Sequence, residues 1–177
     1  MVTDELTGLA NRRQLFELGE RELVRAHRFG HPLSAMIFDI DHFTRINELY
    51  GRDAGDQALT ALAPIVQDNI RDTDLLARYG GEEFVITLPE TALSAACEVA
   101  ERIRKTIAET PLALKSAAIQ LTVTLGVAET TAETRRFADL VNAADNAMYK
   151  AKQAGRNRIF FADHSLARHF YFDFLPA

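Results

Sequence analysis

The residues best suited to chemistry in this chain are acidic. Asp39 and Asp41 flank Ile40 at the end of an almost continuous apolar run that starts at Leu33. On a strand, side chains repeat every two residues, so the two carboxylates share a face, and hard divalent cations prefer such oxygen ligands. Taken alone, the same pair also reads as solvated acids or as a cap on the next helix. A second acidic pair, Glu82-Glu83, follows Gly80-Gly81. If the two strands are neighbours, Asp39 and Glu82 converge into a cluster that repulsion would penalise unless a cation sat there. The densest basic stretch runs from Lys150 to Arg158 and contains Lys152 and Arg156. Cations at a helix end are favoured by the helix dipole, which accounts for them without any ligand. Beside an acidic metal site they would supply the other half of a triphosphate clamp.

Other chemistries are excluded more easily. The histidines, His27, His31, His42, His164 and His169, include no pair at helical ligand spacing with a nearby acid, so a His-Glu-x-x-His zinc site is absent. There is no Gly-x-x-x-x-Gly-Lys loop of the Walker type. The lone Cys97 repeats with Ala96 and Ala100 at helical spacing and reads as inert packing. A net charge of -5 argues against a nucleic-acid-binding face. No apolar run approaches the roughly 18 residues that span a bilayer, so the domain is expected in the cytoplasm without direct membrane contact.

These residues need elements to hold them. Asn11 to Arg28 suits an amphipathic helix ended near Gly30 and Pro32, followed by a buried strand from Leu33 to Asp41. A short helix near Phe43 to Leu49 precedes one opened by Gly51 to Asp56 and carried by Leu59, Leu62, Ile65 and Val66, with Pro64 placed to bend it. Leu75 to Tyr79 and Phe84 to Leu88 read as strands joined through Gly80-Gly81, whose tolerance of positive φ suits a tight hairpin. A helix over Leu93 to Ile107, a strand over Ile119 to Val127, a helix through Leu140 to Ala151 capped at Gly155, and a strand over Arg158 to Phe161 complete the order αβααββαβαβ. That order implies an α/β fold, with a mixed sheet flanked by helices. The aromatic tail ending in His169-Phe170-Tyr171-Phe172-Asp173-Phe174 either folds back or is a stub or contact surface.

Gly80-Gly81-Glu82-Glu83-Phe84 resembles the signature of the GGDEF family of diguanylate cyclases. Asp4-Glu5-Leu6-Thr7-Gly8-Leu9-Ala10-Asn11-Arg12 resembles the family's opening motif, and Phe38 to Phe43 its metal strand. Asn47, Gly51, Gly55 and Asp56 continue the pattern, and Met148 to Lys152 with Gly155-Arg156-Asn157 resemble its close, so the resemblance covers about residues 3 to 161.

By that resemblance the fold is a nucleotidyl-cyclase palm with a ferredoxin-like core over residues 1–162, and residues 163–177 form a tail. The implied enzyme condenses two GTP into cyclic di-GMP and releases two pyrophosphates. Each domain holds one GTP, so the active state is a homodimer. Mg²⁺ or Mn²⁺ would be bound by Asp39, the Ile40 carbonyl and Glu82, leaving Asp41 structural. Asn47 and Asp56 would hold guanine, Lys152 and Arg156 the β and γ phosphates, and the amides near His42 and Phe43 would face phosphate. Gly80 and Gly81 would give the nucleotide room, and the proton acceptor is Glu82 or Glu83. Arg71 and Asp74 match the family's Arg-x-x-Asp inhibitory site for product, with Arg102 as a further contact. Thr44 and Arg52 depart from residues common in the family, Lys and His, with Arg45 or Arg52 placed to compensate. A domain that binds GTP or cyclic di-GMP without catalysis is the alternative. The opening motif is where family members join a sensory segment, so a longer parent protein, free to carry a membrane anchor, is expected.

Overall fold

A computed structural model describes residues 1–163 and 170–176. His164 and His169, and with them much of the expected tail, lie outside the described residues. The chain runs α1 (Arg12–Phe29), β1 (Leu33–Ile40), α2 (Phe43–Tyr50), α3 (Arg52–Gln67), β2 (Leu75–Gly80), β3 (Glu83–Pro89), α4 (Leu93–Glu109), β4 (Leu112–Ala113), β5 (Ala118–Ile119), β6 (Val123–Glu129), α5 (Phe137–Gln153), β7 (Ile159–Asp163) and β8 (Phe170–Asp173). Among the described residues six strands form one mixed sheet in the order β2-β3-β1-β6-β7-β8, in which β6 and β7 pair in parallel and the other neighbours antiparallel.

All eight residues of β1 are buried, as its unbroken apolar run implies for a strand covered on both faces. Alternate side chains feed two cores. Met36, Phe38 and Ile40 pack with α3 and α4 residues such as Leu62 and Ile103, whereas Leu33, Ala35 and Ile37 pack with Leu15 of α1 and Val141 of α5. Asp39 therefore leaves the sheet on the α1/α5 side. Its partner in register on β3 is Glu83, which leaves on the same side as Val85.

α5 lies close on β6 because Gly126 has no side chain. A Cβ there would fall 1.9 Å from the Ala144 carbonyl oxygen and 2.4 Å from the Met148 nitrogen. Pro64 stays inside α3, in its last turn, and does not end it.

Two expectations need correction, and a third point left open, whether the tail folds back, is decided by the strand at its end. The strand expected over Ile119 to Val127 is two elements. Ala118–Ile119 pairs with Leu112–Ala113 in a small separate hairpin, closed by the Leu114 amide on the Ala117 carbonyl at 2.8 Å, and β6 begins only at Val123. In the signature hairpin only Gly81 takes a positive φ, +43°, while Gly80 is the last residue of β2 with open space around it. The end of the chain adds a strand, as β8 pairs antiparallel with β7 and the Phe174 amide donates to the Ile159 carbonyl at 2.9 Å.

Candidate active site

The ends of β1 and α5 and the β2–β3 turn meet around a cleft of about 420 Å³, lined by Asp39, Ile40, Asp41, His42, Phe43, Thr44, Arg45, Glu48, Glu82, Lys152 and Arg156. Metal, phosphate and turn residues expected from the sequence thus share one space. Asp39 is 7% exposed. One carboxylate oxygen, Oδ2, is paired with the Lys152 ammonium, and the other, Oδ1, is buried with no hydrogen-bond partner. Burial raises the Asp39 pKa above its ordinary value against the pull of Lys152, and Glu82 and Asp41 push the same way. A buried carboxylate oxygen without a donor, next to a backbone carbonyl and a second carboxylate, is a donor set that suits a hard cation. Among the described residues no three His, Cys, Asp or Glu side chains gather as a metal cluster, so such a site would rest on two carboxylates and the Ile40 carbonyl.

Asp41 is occupied otherwise. It accepts from the hydroxyls of Thr122 at 2.7 Å and Thr124 at 2.6 Å and from the Asn157 amide at 3.0 Å. It joins the end of β1 to β6 and to the turn after α5. His42 takes a left-handed conformation, φ 54°, at the start of α2 and provides no side-chain cap. The first-turn amides of α2 therefore open on the cleft beside Lys152 and Arg156, an arrangement that favours an anion.

Not every expected residue lines this cleft. Asn47 packs at the contact of α2 with α3, its Oδ1 buried and unpartnered, and a Cβ on Gly55 would sit 1.9 Å from that oxygen. The missing side chain at Gly55, the chain neighbour of Asp56, makes room for Asn47, and neither Asn47 nor Asp56 is in the cleft lining. Gly80 and Gly81 lie at the hairpin tip, and Glu83 faces α5. Burial raises the Glu83 pKa first, then the charges of Asp39 and Asp145. Arg71, Asp74 and Arg102 form a different site, lining a pocket of about 550 Å³ with Glu90 and Thr91. There the Arg71 guanidinium donates to Asp74 at 2.9 Å, to the Pro89 carbonyl at 2.8 Å and to the Thr91 hydroxyl at 2.8 Å, and Arg102 donates to the Asn69 carbonyl at 2.6 Å.

Two residues at the site escape a reading of the sequence alone. Asp145 lies seven residues before Lys152 on the same face of α5, a spacing that was available as a signal. Arg78 had none: it bonds Asp4 at 3.1 Å and the Gly81 carbonyl at 3.0 Å, tying the N-terminal turn to the hairpin.

The chain is similar to known proteins over most of its length. The family profile described as "Diguanylate cyclase, GGDEF domain" matches residues 1–158. Diguanylate cyclase DgcP of Pseudomonas aeruginosa is 43% identical over 159 residues, covering 89% of this chain but only 23% of DgcP, so the chain spans about a quarter of that relative's length. The active GGEEF domain of a diguanylate cyclase from Vibrio cholerae superposes with a TM-score of 0.83 at 38% identity over 89% of this chain and 99% of the other. The GGDEF domain of DgcB from Caulobacter crescentus, solved in complex with c-di-GMP, gives a TM-score of 0.86 at 32% identity, with 90% and 92% covered. With the acidic strand end, the glycine hairpin and the basic turn after the last long helix gathered at one cleft, and with a profile match over nearly the whole chain, this protein belongs to the GGDEF family of diguanylate cyclases.

Proposed function

We propose that the chain condenses two GTP into cyclic di-GMP and two pyrophosphates, each copy holding one GTP and two copies meeting face to face. The observation that carries this is Asp39, whose buried, unpartnered Oδ1 shares a cleft with Glu82, Lys152 and Arg156. Asp39, the Ile40 carbonyl and Glu82 would hold Mg²⁺ or Mn²⁺, which when bound neutralises phosphate charge and favours attack at phosphorus. Lys152 and Arg156 bring two cations to the phosphates, and the open amides at His42 and Phe43 supply neutral donors beside them. Asn47 and Asp56 hold the guanine edge, and Gly80 and Gly81 leave room for the nucleotide. The remaining task is to line up the 3′ hydroxyl of one GTP with the α-phosphorus of the other, a positioning problem that a second copy solves. The proton acceptor is Glu82, which lines the cleft, or Glu83, whose pKa burial raises.

The test is chromatographic detection of cyclic di-GMP from GTP and Mg²⁺ with the chain fused to an enforced dimer. Asp39→Ala and Glu82→Ala are expected to abolish product while staying folded, and turnover unchanged in either would remove the metal assignment. The Arg71 pocket is formed independently of the cleft, which supports product inhibition there. It also supports a second reading, a receptor that binds cyclic di-GMP without making it. Calorimetry with cyclic di-GMP should show loss of binding in Arg71→Ala. A wild-type dimer that binds cyclic di-GMP but forms none from GTP would favour the receptor.

A further inference from the structure

After α5 the backbone takes positive φ at three successive residues, Gly155 at 128°, Arg156 at 63° and Asn157 at 47°. Glycine adopts such angles freely and asparagine tolerates them, but arginine is disfavoured there, and such backbone persists only where its surroundings over-determine it. Four side chains hold it here. The Asn157 amide donates to Asp41 Oδ2 and to Thr124 Oγ1, both at 3.0 Å. Arg158 Nε donates to the Arg156 carbonyl at 3.0 Å. Arg104, on α4, donates through Nη1 to Asn157 Oδ1 at 2.9 Å, from 53 residues away.

Arg104 is itself locked. Glu101, one helical turn earlier, accepts from its Nε at 2.8 Å and its Nη2 at 2.6 Å, and each of the two side chains is only 20% exposed. This planar, two-point pairing leaves one nitrogen of the guanidinium aimed at Asn157, with little rotamer freedom left to lose. The turn so held carries Arg156 into the lining of the cleft.

We propose that Arg104 is a positioning residue for the phosphate clamp: through Asn157 it fixes the left-handed turn that presents Arg156 to the nucleotide's phosphates. This rests on the assignment of the cleft to GTP. Arg104 does not line the cleft, and its effect passes through Arg156.

The test is calorimetric affinity for the α,β-methylene analogue of GTP, which cannot be condensed, in the 177-residue chain and in Arg104→Gln, Arg156→Ala and the double variant. Arg104→Gln is expected to weaken binding about fivefold to twentyfold, from the upper end for a neutral hydrogen bond to the lower end for one to a charged group. Combined with Arg156→Ala it should add less than about twofold, because both act on one contact. Asn157→Gly, which keeps the positive φ and the Arg104–Glu101 pair but removes the acceptor, should reproduce the Arg104→Gln loss and stands in for it if that variant does not fold. Affinity within about twofold of wild type in the folded variants, or losses that multiply in the double variant, would overturn the positioning role alone. A wild-type chain with no affinity for the analogue would overturn the GTP assignment and this role with it.

Discussion

Gly55 and Cys97 show how a single side chain, present or missing, sets local behaviour. A methyl group at Gly55 would collide with Asn47 Oδ1 and press on the Phe43 ring, 3.0 Å away. Gly55→Ala should therefore displace Asn47, and if Asn47 holds guanine as proposed, it should raise the KM for GTP about fivefold, matching Asn47→Ala. Steady-state kinetics on the enforced dimer decide this, and an unchanged KM in Gly55→Ala would refute it. Cys97 is buried in α4, and burial pushes its thiol up to about 12 from an ordinary 9.0. In the unfolded chain the thiol ionises near 9, in the folded chain only near 12. The raised folded value contributes stability that is whole below pH 9 and is lost as pH climbs toward 12. Urea midpoints measured across that interval should fall for the wild type, with this part of the slope absent in Cys97→Ala. At neutral pH a thiol reagent should label Cys97 only on unfolding.

Among the elements, α5 matters most to the cleft, since it carries Lys152 and Asp145 over the Asp39–Glu83 pair. Its height above the sheet is set by Gly126. Gly126→Ala would force the α5 backbone away from β6, with a cost of about 2–3 kcal/mol as overpacking, read as a lower urea midpoint with an unchanged m value. The same shift should draw Lys152 off Asp39 and weaken GTP binding. Gly80 gives the contrasting case. It has no positive φ, and an added methyl group would meet nothing within 4 Å, so Gly80→Ala should change stability by less than about 0.5 kcal/mol. Loss of activity in that variant would then report space needed by the nucleotide, whereas unchanged activity would remove Gly80 from the substrate site. The β2–β3 hairpin is braced from outside by Arg78, which spans from Asp4 to the Gly81 carbonyl, and by Arg12 stacked 4.2 Å over Tyr79.

For the whole molecule, the sheet is extended at one edge by β8, beyond the residues the family profile matches. Phe174 packs against the core that contains Ile159. Removing residues 164–177 should lower the melting temperature by uncovering that contact and the edge of β7, yet leave GTP binding intact, because every residue lining the cleft lies before Arg158. A truncated chain that fails to fold would place the tail inside the domain and overturn the division near residue 162. No helix among the described residues is long and apolar enough to cross a membrane. If each copy holds one GTP, turnover per chain should rise with protein concentration for the unfused chain and stay constant for the enforced dimer.

The amino-acid sequence alone determined the elements with strong local signals. The apolar run of β1 ending in Asp39, the glycine-marked hairpin before Glu83, and the helical periodicity of α4 and α5 follow from spacing within a dozen residues, where side-chain period and glycine placement act directly. Ile119 misled because an apolar run does not say which strand it joins, and a two-residue pairing with Leu112–Ala113 claimed it. The division of labour between neighbouring acids was decided only by the tertiary structure. Asp39 meets Lys152 across 113 residues, and Asp41 meets Thr124 across 83. Arg104 meets Asn157 across 53. These contacts exist because β1 lies between β3 and β6 with α5 laid over them, an order fixed by how two apolar faces are buried together and not by any local pattern.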